Sequence, residues 1–266
     1  MNSAIIIPAR FGSTRFPGKP LQVILGKTLL QRVCEVANEA AQAVKDCTVC
    51  VATDDERIIK HAEQLGVKAL MTPVECPTGS DRVLAAAQQL PSLPDCVVNL
   101  QGDAPQTPAI LLIKLLQALQ QDMTADVVTP AVRLTWKALD QLRENKKQTP
   151  FSGTTVTFNP QTHRAYWFSK NIIPAIRKPN IDEPFSPVYQ HLGVYGYRLP
   201  ALHAFVDLQQ SCYEQCESLE QLRFLENGYH IRVVPVELPS GGSLSGIDTP
   251  EDAARLTAFL EKKVEK

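Results

Sequence analysis

"IIIPARFGSTRFPGKP" (Ile5–Pro20) is an apolar run that stops abruptly in a segment where Arg10, Arg15 and Lys19 stand among glycine, proline, serine and threonine. A short run of apolar residues without polar alternation marks a strand buried on both faces. Similar runs occupy Ala4–Pro8, Thr48–Thr53, Lys68–Thr72 and Cys96–Gln101. Between them lie "TLLQRVCEVANEAAQA", "DERIIKHAEQLG" and "DRVLAAAQQL", whose apolar residues recur at helical spacing; Leu29, Val33, Val36 and Ala40 form one stripe. Strand–helix alternation of this kind predicts an α/β fold with a mostly parallel sheet flanked by helices. In such sheets function gathers beyond the carboxyl ends of the strands. Three of these strands end in polar punctuation, "PAR", "ATDD" and "QGDAP".

The pattern then changes. "DVVTPAVRL", "GTTVTFN", "AYWFS" and "YQHLGVYGYR" read as antiparallel or mixed strands. A helix around "SLEQLRFLENG" is expected to stop at Gly228, followed by the strand "IRVVPVEL", the loop "PSGGSLSGIDTPED" and a last helix to about Leu260. Thr249 and Pro250 are apt for the start of that helix. "LRENKKQTPFSGT" (Leu142–Thr154) is the most linker-like stretch. The expected organisation is a single domain over residues 1–266 with a smaller mixed-sheet lobe at roughly 135–215.

Bulk properties exclude several classes. The chain has 266 residues, 44% of them hydrophobic, which supports a sizeable core, and its net charge of −1 creates no field for nucleic acid or an anionic membrane. No segment approaches a membrane span, and the opening "MNSAIIIPAR" lacks the basic start and long apolar run of a signal peptide. The seven cysteines are odd in number and lack a compact secreted framework, so reduced thiols and a cytoplasmic location are expected. "CTVC" (Cys47–Cys50) lies in a strand-like run, where residues three apart point to opposite faces, and no second such pair completes a zinc site.

The opening loop does not match the usual phosphate motifs. Its glycines are spaced wrongly for a Walker A loop, Pro20 follows Lys19, and there is no GxGxxG. The physics of an anion cradle remains: small residues admit phosphate to backbone N–H groups, and the cations supply charge-assisted bonds. The competing reading is a surface loop with solvated cations. Asp103, in "QGDAP" after an apolar strand, should emerge at the same sheet edge, where a carboxylate suits Mg²⁺ beside phosphate. Asp248, in "GIDTP", suits a second metal carboxylate, the cap of the last helix, or both.

Taken together, "IPARFGSTRFPGKPL", "VATDDERI", "TGSDR", "NLQGDAP", "YWFSKNIIP", "HLGVYGYR", "ESLEQLRFLENGYHIRV" and "GIDTPED" resemble, in order, the sugar-acid cytidylyltransferases of the CMP-Kdo synthetase (3-deoxy-manno-octulosonate cytidylyltransferase) family. The resemblance implies a GT-A-like nucleotidyltransferase fold, a homodimer formed partly through the second lobe, and the reaction CTP plus Kdo to CMP-Kdo plus pyrophosphate for lipopolysaccharide biosynthesis. It carries CTP binding to Arg10, Ser13, Lys19 and Thr78, Gly79, Ser80, Asp81 and Arg82. It carries Mg²⁺ binding to Asp103 and Asp248, catalysis to Lys19 and these two aspartates, and sugar-acid binding to Arg15, Gln101, Lys170, His191, Tyr195, Glu220 and Gln221.

Each residue also has a plainer reading. Thr78–Arg82 is also a helix cap followed by a salt bridge, and Gln101 a strand-end residue satisfying backbone. His191 is also a core histidine, Tyr195 one face of a strand, and Glu220 and Gln221 exposed helix positions. Three departures from the family pattern stand near the implied site: Ala104 where an acid is usual, Lys170 where arginine is usual, and "TPFSGTTVTF" (Thr149–Phe158). They point to an altered sugar acid, such as the 8-amino analogue of Kdo, or to retuned binding of Kdo itself; another sugar acid such as a nonulosonate is an alternative of the same class. A catalytically silent nucleotide-binding paralogue is the alternative of another class.

Overall fold

The computed structural model describes residues 1–12, 16–237, 246, 247 and 249–264. The elements run β1 (Ser3–Pro8), β2 (Val23–Ile24), β3 (Lys27–Thr28), α1 (Leu29–Gln42), β4 (Cys47–Thr53), α2 (Glu56–Gln64), β5 (Lys68–Met71), α3 (Gly79–Ala87), β6 (Cys96–Asn99) and α4 (Ala109–Gln121). They continue with β7 (Val127–Thr135), α5 (Trp136–Gln148), β8 (Thr155–Phe158), β9 (Ala165–Ser169), β10 (Phe185–His191), β11 (Tyr195–Arg198), α6 (Leu199–Asp207), α7 (Cys212–Glu217), α8 (Gln221–Glu226), β12 (Ile231–Val236) and α9 (Pro250–Val264). A short 3₁₀ turn, Lys19–Leu21, precedes β2. The chain divides into two units, Met1–Leu116 with Gly242–Lys266, and Gln117–Gly241. The expected lobe at 135–215 lies inside the second.

In the first unit β1 is parallel to β4 and to β6, and β4 is parallel to β5. Ile5 faces Val49 on one side and Val98 on the other, and Ile5, Ile6 and Ile7 are wholly buried. The first crossovers add strands outward from β1 through β4 to β5; the next returns to lay β6 on β1's other edge. That reversal makes the carboxyl ends of β1 and β6 a topological switch point, the place where open parallel sheets bind ligands. "CTVC" lies within β4 as expected, and burial pushes the Cys50 thiol up to about 12, which keeps it unreactive at neutral pH. Among the described residues no helix is long and apolar enough to cross a membrane.

The second unit is mixed. β12 runs parallel to β7, β10 and β11 pair antiparallel with β7, β8 pairs antiparallel with β10, and β9 with β8. The stretch "YQHLGVYGYR" is not one strand: it breaks after His191 and resumes at Tyr195, so His191 ends β10 and Tyr195 begins β11. The linker-like Leu142–Thr154 is largely helix, because α5 continues to Gln148 before a turn. α8 ends just before Gly228, which takes the left-handed conformation (φ 80°) that terminates helices.

A buried ion pair joins α7 to α8 in this unit. Arg223 donates to both carboxylate oxygens of Glu214, at 2.7 and 2.5 Å, and to the carbonyls of Phe205 and Leu208. Its guanidinium also lies 4.1 Å from the Phe205 ring centre. Removing one partner leaves the other charged and without compensation. Glu214→Ala is therefore expected to cost about 3–5 kcal/mol in urea denaturation, and a loss below about 1 kcal/mol would show that the pair is marginal.

Candidate active site

The switch point of the first unit carries a cleft of about 410 Å³. β1 leads into it with Pro8, Ala9 and Arg10; β6 leads in with Gln101, Gly102 and Asp103; Lys19, Thr78, Gly79 and Arg82 complete much of the wall. Gly102 makes the closeness of the two strand ends possible. Its N–H donates to the Pro8 carbonyl at 3.3 Å, and a Cβ there would stand 2.8 Å from that oxygen.

Lys19 and Asp103, distant in sequence, meet in this cleft. Lys19 Nζ lies 2.6 Å from Asp103 Oδ2, with the two side chains 12% and 27% exposed. The turn that delivers Lys19 is closed at its base by Gly18 N–H donating to the Phe11 carbonyl at 3.0 Å. Phe11 is stacked beneath the Arg57 guanidinium, 3.4 Å from the ring centre. Ser13 and Arg15, in the same loop, lie outside the described residues.

Asp103 also organises the approach to the last helix. Its carbonyl accepts from Ile247 N–H at 2.8 Å, and a Cβ on Gly246 would meet Asp103 Oδ1 at 3.2 Å. The absence of that Cβ leaves room beside the carboxylate. Asp248 is outside the described residues. Thr249 caps α9: its hydroxyl accepts from Asp252 N–H at 3.2 Å, while its own N–H donates to Asp252 Oδ2 at 2.9 Å.

Thr78–Arg82 forms both a cap and a salt bridge. Thr78 Oγ1 accepts from Ser80 and Asp81 N–H, and the Asp81 carboxylate accepts from Thr78 N–H at 3.1 Å. Ser80 and Asp81 are not among the cleft-lining residues. Arg82 is buried and donates to Asp54 Oδ2 at 2.8 Å and Thr72 Oγ1 at 2.6 Å. Asp54 escaped the sequence reading, although "ATDD" marked the strand end that presents it. Gln101 donates to Asn99 Oδ1 at 3.0 Å and sits over Gly79 in the wall of the cleft.

Three residues of the sugar-acid set, His191, Tyr195 and Gln221, form a cluster in the second unit. His191 is 8% exposed, with Nε2 2.7 Å from Thr129 Oγ1. That hydroxyl also faces the carbonyls of Val194, at 2.9 Å, and Leu192. With the hydroxyl's one hydrogen donated to the Val194 carbonyl, the imidazole donates from Nε2 and its Nδ1 is left as an acceptor. Burial, followed by the Lys170 charge, pulls His191 down to about 3.

The Tyr195 ring lies 5.4 Å from that of His191, and its hydroxyl donates to Gln221 Oε1 at 2.9 Å. Burial, then Tyr197 and Glu220, hold the Tyr195 phenol well above its ordinary range. Gln221 is 3% exposed, not an exposed helix position, and its Nε2 is buried without a hydrogen-bond partner among the described residues. A buried amide donor left open is costly unless a ligand completes it. The cluster thus offers an acceptor at His191 Nδ1 and donors at Gln221 Nε2, a pattern suited to hydroxyl groups.

The neutrality of His191 has a pH consequence. In the unfolded chain the ring takes up a proton below its ordinary 6.5, whereas the folded ring resists until about 3. The unfolded state therefore binds more protons across that window, and stability falls as pH is lowered through it. Urea midpoints measured across the window should fall less steeply for His191→Gln than for the parent; parallel slopes would show that the buried ring titrates normally.

Comparison with known proteins fits this geometry. A cytidylyltransferase family profile matches residues 4–232. A 3-deoxy-manno-octulosonate cytidylyltransferase of Maricaulis maris is 44% identical over 98% of this chain and 97% of its own. One from Parabacteroides distasonis is 39% identical over 97% of this chain and 98% of its own. The solved structure of a CMP:2-keto-3-deoxy-manno-octonic acid synthetase complexed with CTP superposes with a TM-score of 0.83 at 32% identity, covering 99% of this chain and 100% of that one. The mixed sheet with flanking helices is accordingly the GT-A-like fold expected. Two aligned strand ends, a lysine–aspartate cleft and full-length similarity converge, and the chain belongs to the cytidylyltransferase family as a member of the 3-deoxy-manno-octulosonate cytidylyltransferases.

Proposed function

We propose that this protein activates an eight-carbon 2-keto sugar acid, transferring CMP from CTP to Kdo and releasing pyrophosphate, for lipopolysaccharide assembly in the cytoplasm. The observation that carries the reading is the Lys19–Asp103 pair in the switch-point cleft. The anomeric hydroxyl of the sugar acid attacks the α-phosphorus in line with the departing pyrophosphate. Such a displacement needs no enzyme nucleophile; positioning and neutralisation of charge do the work.

The residues have distinct tasks. Arg10 and Lys19 meet the triphosphate and offset charge on the leaving pyrophosphate. Thr78, Gly79 and the Arg82–Asp54 pair shape the nucleoside end, with Arg82 held rigid by its buried partners. His191 Nδ1, Gln221 Nε2, Tyr195 and Glu220 read sugar hydroxyls, and Lys170 pairs with the sugar carboxylate. Arg15 and Gln101 complete the assigned set, Gln101 from the nucleotide cleft.

Mg²⁺ fits the cleft: Asp103 is a hard oxygen donor beside a glycine that leaves its Oδ1 accessible, and Asp248 would be the second carboxylate. When bound, Mg²⁺ polarises the phosphate oxygens and lowers the pKa of a coordinated hydroxyl. Among the described residues no three acidic, histidine or cysteine side chains group as a metal site. Homodimerisation is part of the reading, supported by the exposed apolar Phe151, Ile181 and Phe185 of the second unit.

The test is a pyrophosphate-release assay crossing nucleotides with Kdo, its 8-amino analogue and a nonulosonate. Turnover is expected with CTP and an eight-carbon acid. Asp103→Asn should lower kcat at least about a hundredfold. Lys19→Ala should raise the KM for CTP. CTP at about 100 times its Kd should stabilise the protein by about 2.7 kcal/mol. CTP stabilisation without turnover of any acid would mark a silent paralogue; full Mg²⁺-dependent activity of Asp103→Asn would remove the metal assignment.

A further inference from the structure

We propose that Lys146 is a positioning residue for the sugar acid, its ammonium fixing the backbone of Lys170 and thereby aiming the Lys170 side chain at the substrate. The inference rests on the proposed reaction and on Lys170 as a cation of the sugar-acid site.

Lys146 lies in the last turn of α5, yet its ammonium is spent on backbone. Nζ stands 2.5 Å from the Ser152 carbonyl, 2.9 Å from that of Gly153, 3.2 Å from that of Pro150 and 2.5 Å from that of Lys170. An ammonium has three donors, so these carbonyls saturate it. No carboxylate of the described residues pairs with it. A solvated lysine gains little by leaving water for neutral acceptors; here it joins the turn after α5 to the end of β9.

The peptide groups around Lys170 have no strand ladder to hold them, because β9 ends at Ser169. Side chains from other elements take over. Lys146 binds the Lys170 carbonyl, while Glu217, ending α7, accepts from Lys170 N–H at 2.5 Å and from Ser169 Oγ at 3.0 and 3.1 Å. Just beyond, Thr155 Oγ1 donates to the Asn171 carbonyl at 2.7 Å and accepts from Ile173 N–H at 3.0 Å. A segment outside regular structure is thus pinned at successive peptide groups.

What is pinned is a charge. Lys170 is half-buried and has no ion-pair partner among the described residues. Its charge helps depress both His191 and Lys146, which puts it in the electrostatic neighbourhood of the sugar-side cluster. The nearby Glu217 carboxylate is already engaged by Ser169 and by the Lys170 N–H. A half-buried ammonium without a direct ion-pair partner is suited to an anion supplied by the substrate.

The cradle also joins two of the departures from the family pattern. The stretch beginning at Thr149 and the lysine at 170 bind the same Lys146 ammonium. Lysine is a point charge on a flexible stem and lacks the rigid fork of arginine, so its direction must come from the backbone that carries it.

The test uses Lys146→Met, Lys170→Met and the double variant in steady-state assays with Kdo and CTP varied separately. Lys146→Met should raise the KM for the sugar acid about tenfold, the scale of a small misplacement, with the KM for CTP unchanged. In the Lys170→Met background the same change should add nothing, because both act through one ammonium. Equal increases in both KM values, an unchanged sugar-acid KM, or a full additional loss in the double variant would overturn the inference while leaving Lys170 as a sugar-side residue. If Lys170→Met alone leaves the sugar-acid KM unchanged, the reading of Lys170 itself fails. Lys146→Gln, which keeps a donor to carbonyls, should show a smaller rise in the same KM and carries the test should the methionine variant not fold.

Discussion

The contact between Gly102 and Pro8 is the constraint on which the candidate active site depends. One backbone hydrogen bond brings the ends of β1 and β6 together, and only a residue without a side chain permits the approach. The strand order makes this the switch point, so the crossover helices do not cover it. Arg10 follows from one strand end and Asp103 from the other, and the loop that leaves β1 returns with Lys19 against Asp103. Charge then concentrates in a cleft where Lys19 and Asp103 are largely buried, and water screens it less than on an open surface. A net charge of −1 for the whole chain gives no hint of this local concentration.

The second unit solves a different problem. Its polar groups are buried among strands, so each must be satisfied or reserved for a ligand. Thr129 satisfies one side of His191, and Tyr195 one side of Gln221; what remains open, an imidazole acceptor and an amide donor, is complementary to a polyhydroxylated substrate. The neutral state of His191 belongs to the same design, since a charged ring could not accept a hydroxyl hydrogen. Around Lys170 the order comes from side chains acting on backbone, because the strand has already ended. The two units use rigid elements where they are available and side-chain pins where they are not.

Several of the plain readings hold at residues that also line the cleft. Thr78 and Asp81 form a capping box, and the helix start that they secure also walls the cleft. Arg82 is a buried salt-bridge partner and a lining residue. Capping and pairing hold these groups still, and immobility is what a binding surface requires. Gln101 is held in the same way: it donates to Asn99 and sits over Gly79 in the cleft wall.

Much of the architecture was legible in the residues alone. The apolar runs at Ala4–Pro8 and Cys96–Gln101 became parallel strands within a residue or two of their expected ends, because unbroken apolar character has few other stable uses than a doubly covered sheet. "DTPED" marked the start of α9, and the strand endings "PAR" and "QGDAP" marked the cleft, since these are local signals. The break in "YQHLGVYGYR" was not legible, because β propensity runs through it; only pairing with β7 divides it. Nor could spacing indicate that Asp54 would hold Arg82, that Lys146 would abandon solvent for carbonyls, or that Lys19 would reach Asp103. Local pattern follows from the preferences of neighbouring residues. These meetings are set by strand order and register, which bring distant positions within a few ångströms and are decided only when the whole chain packs.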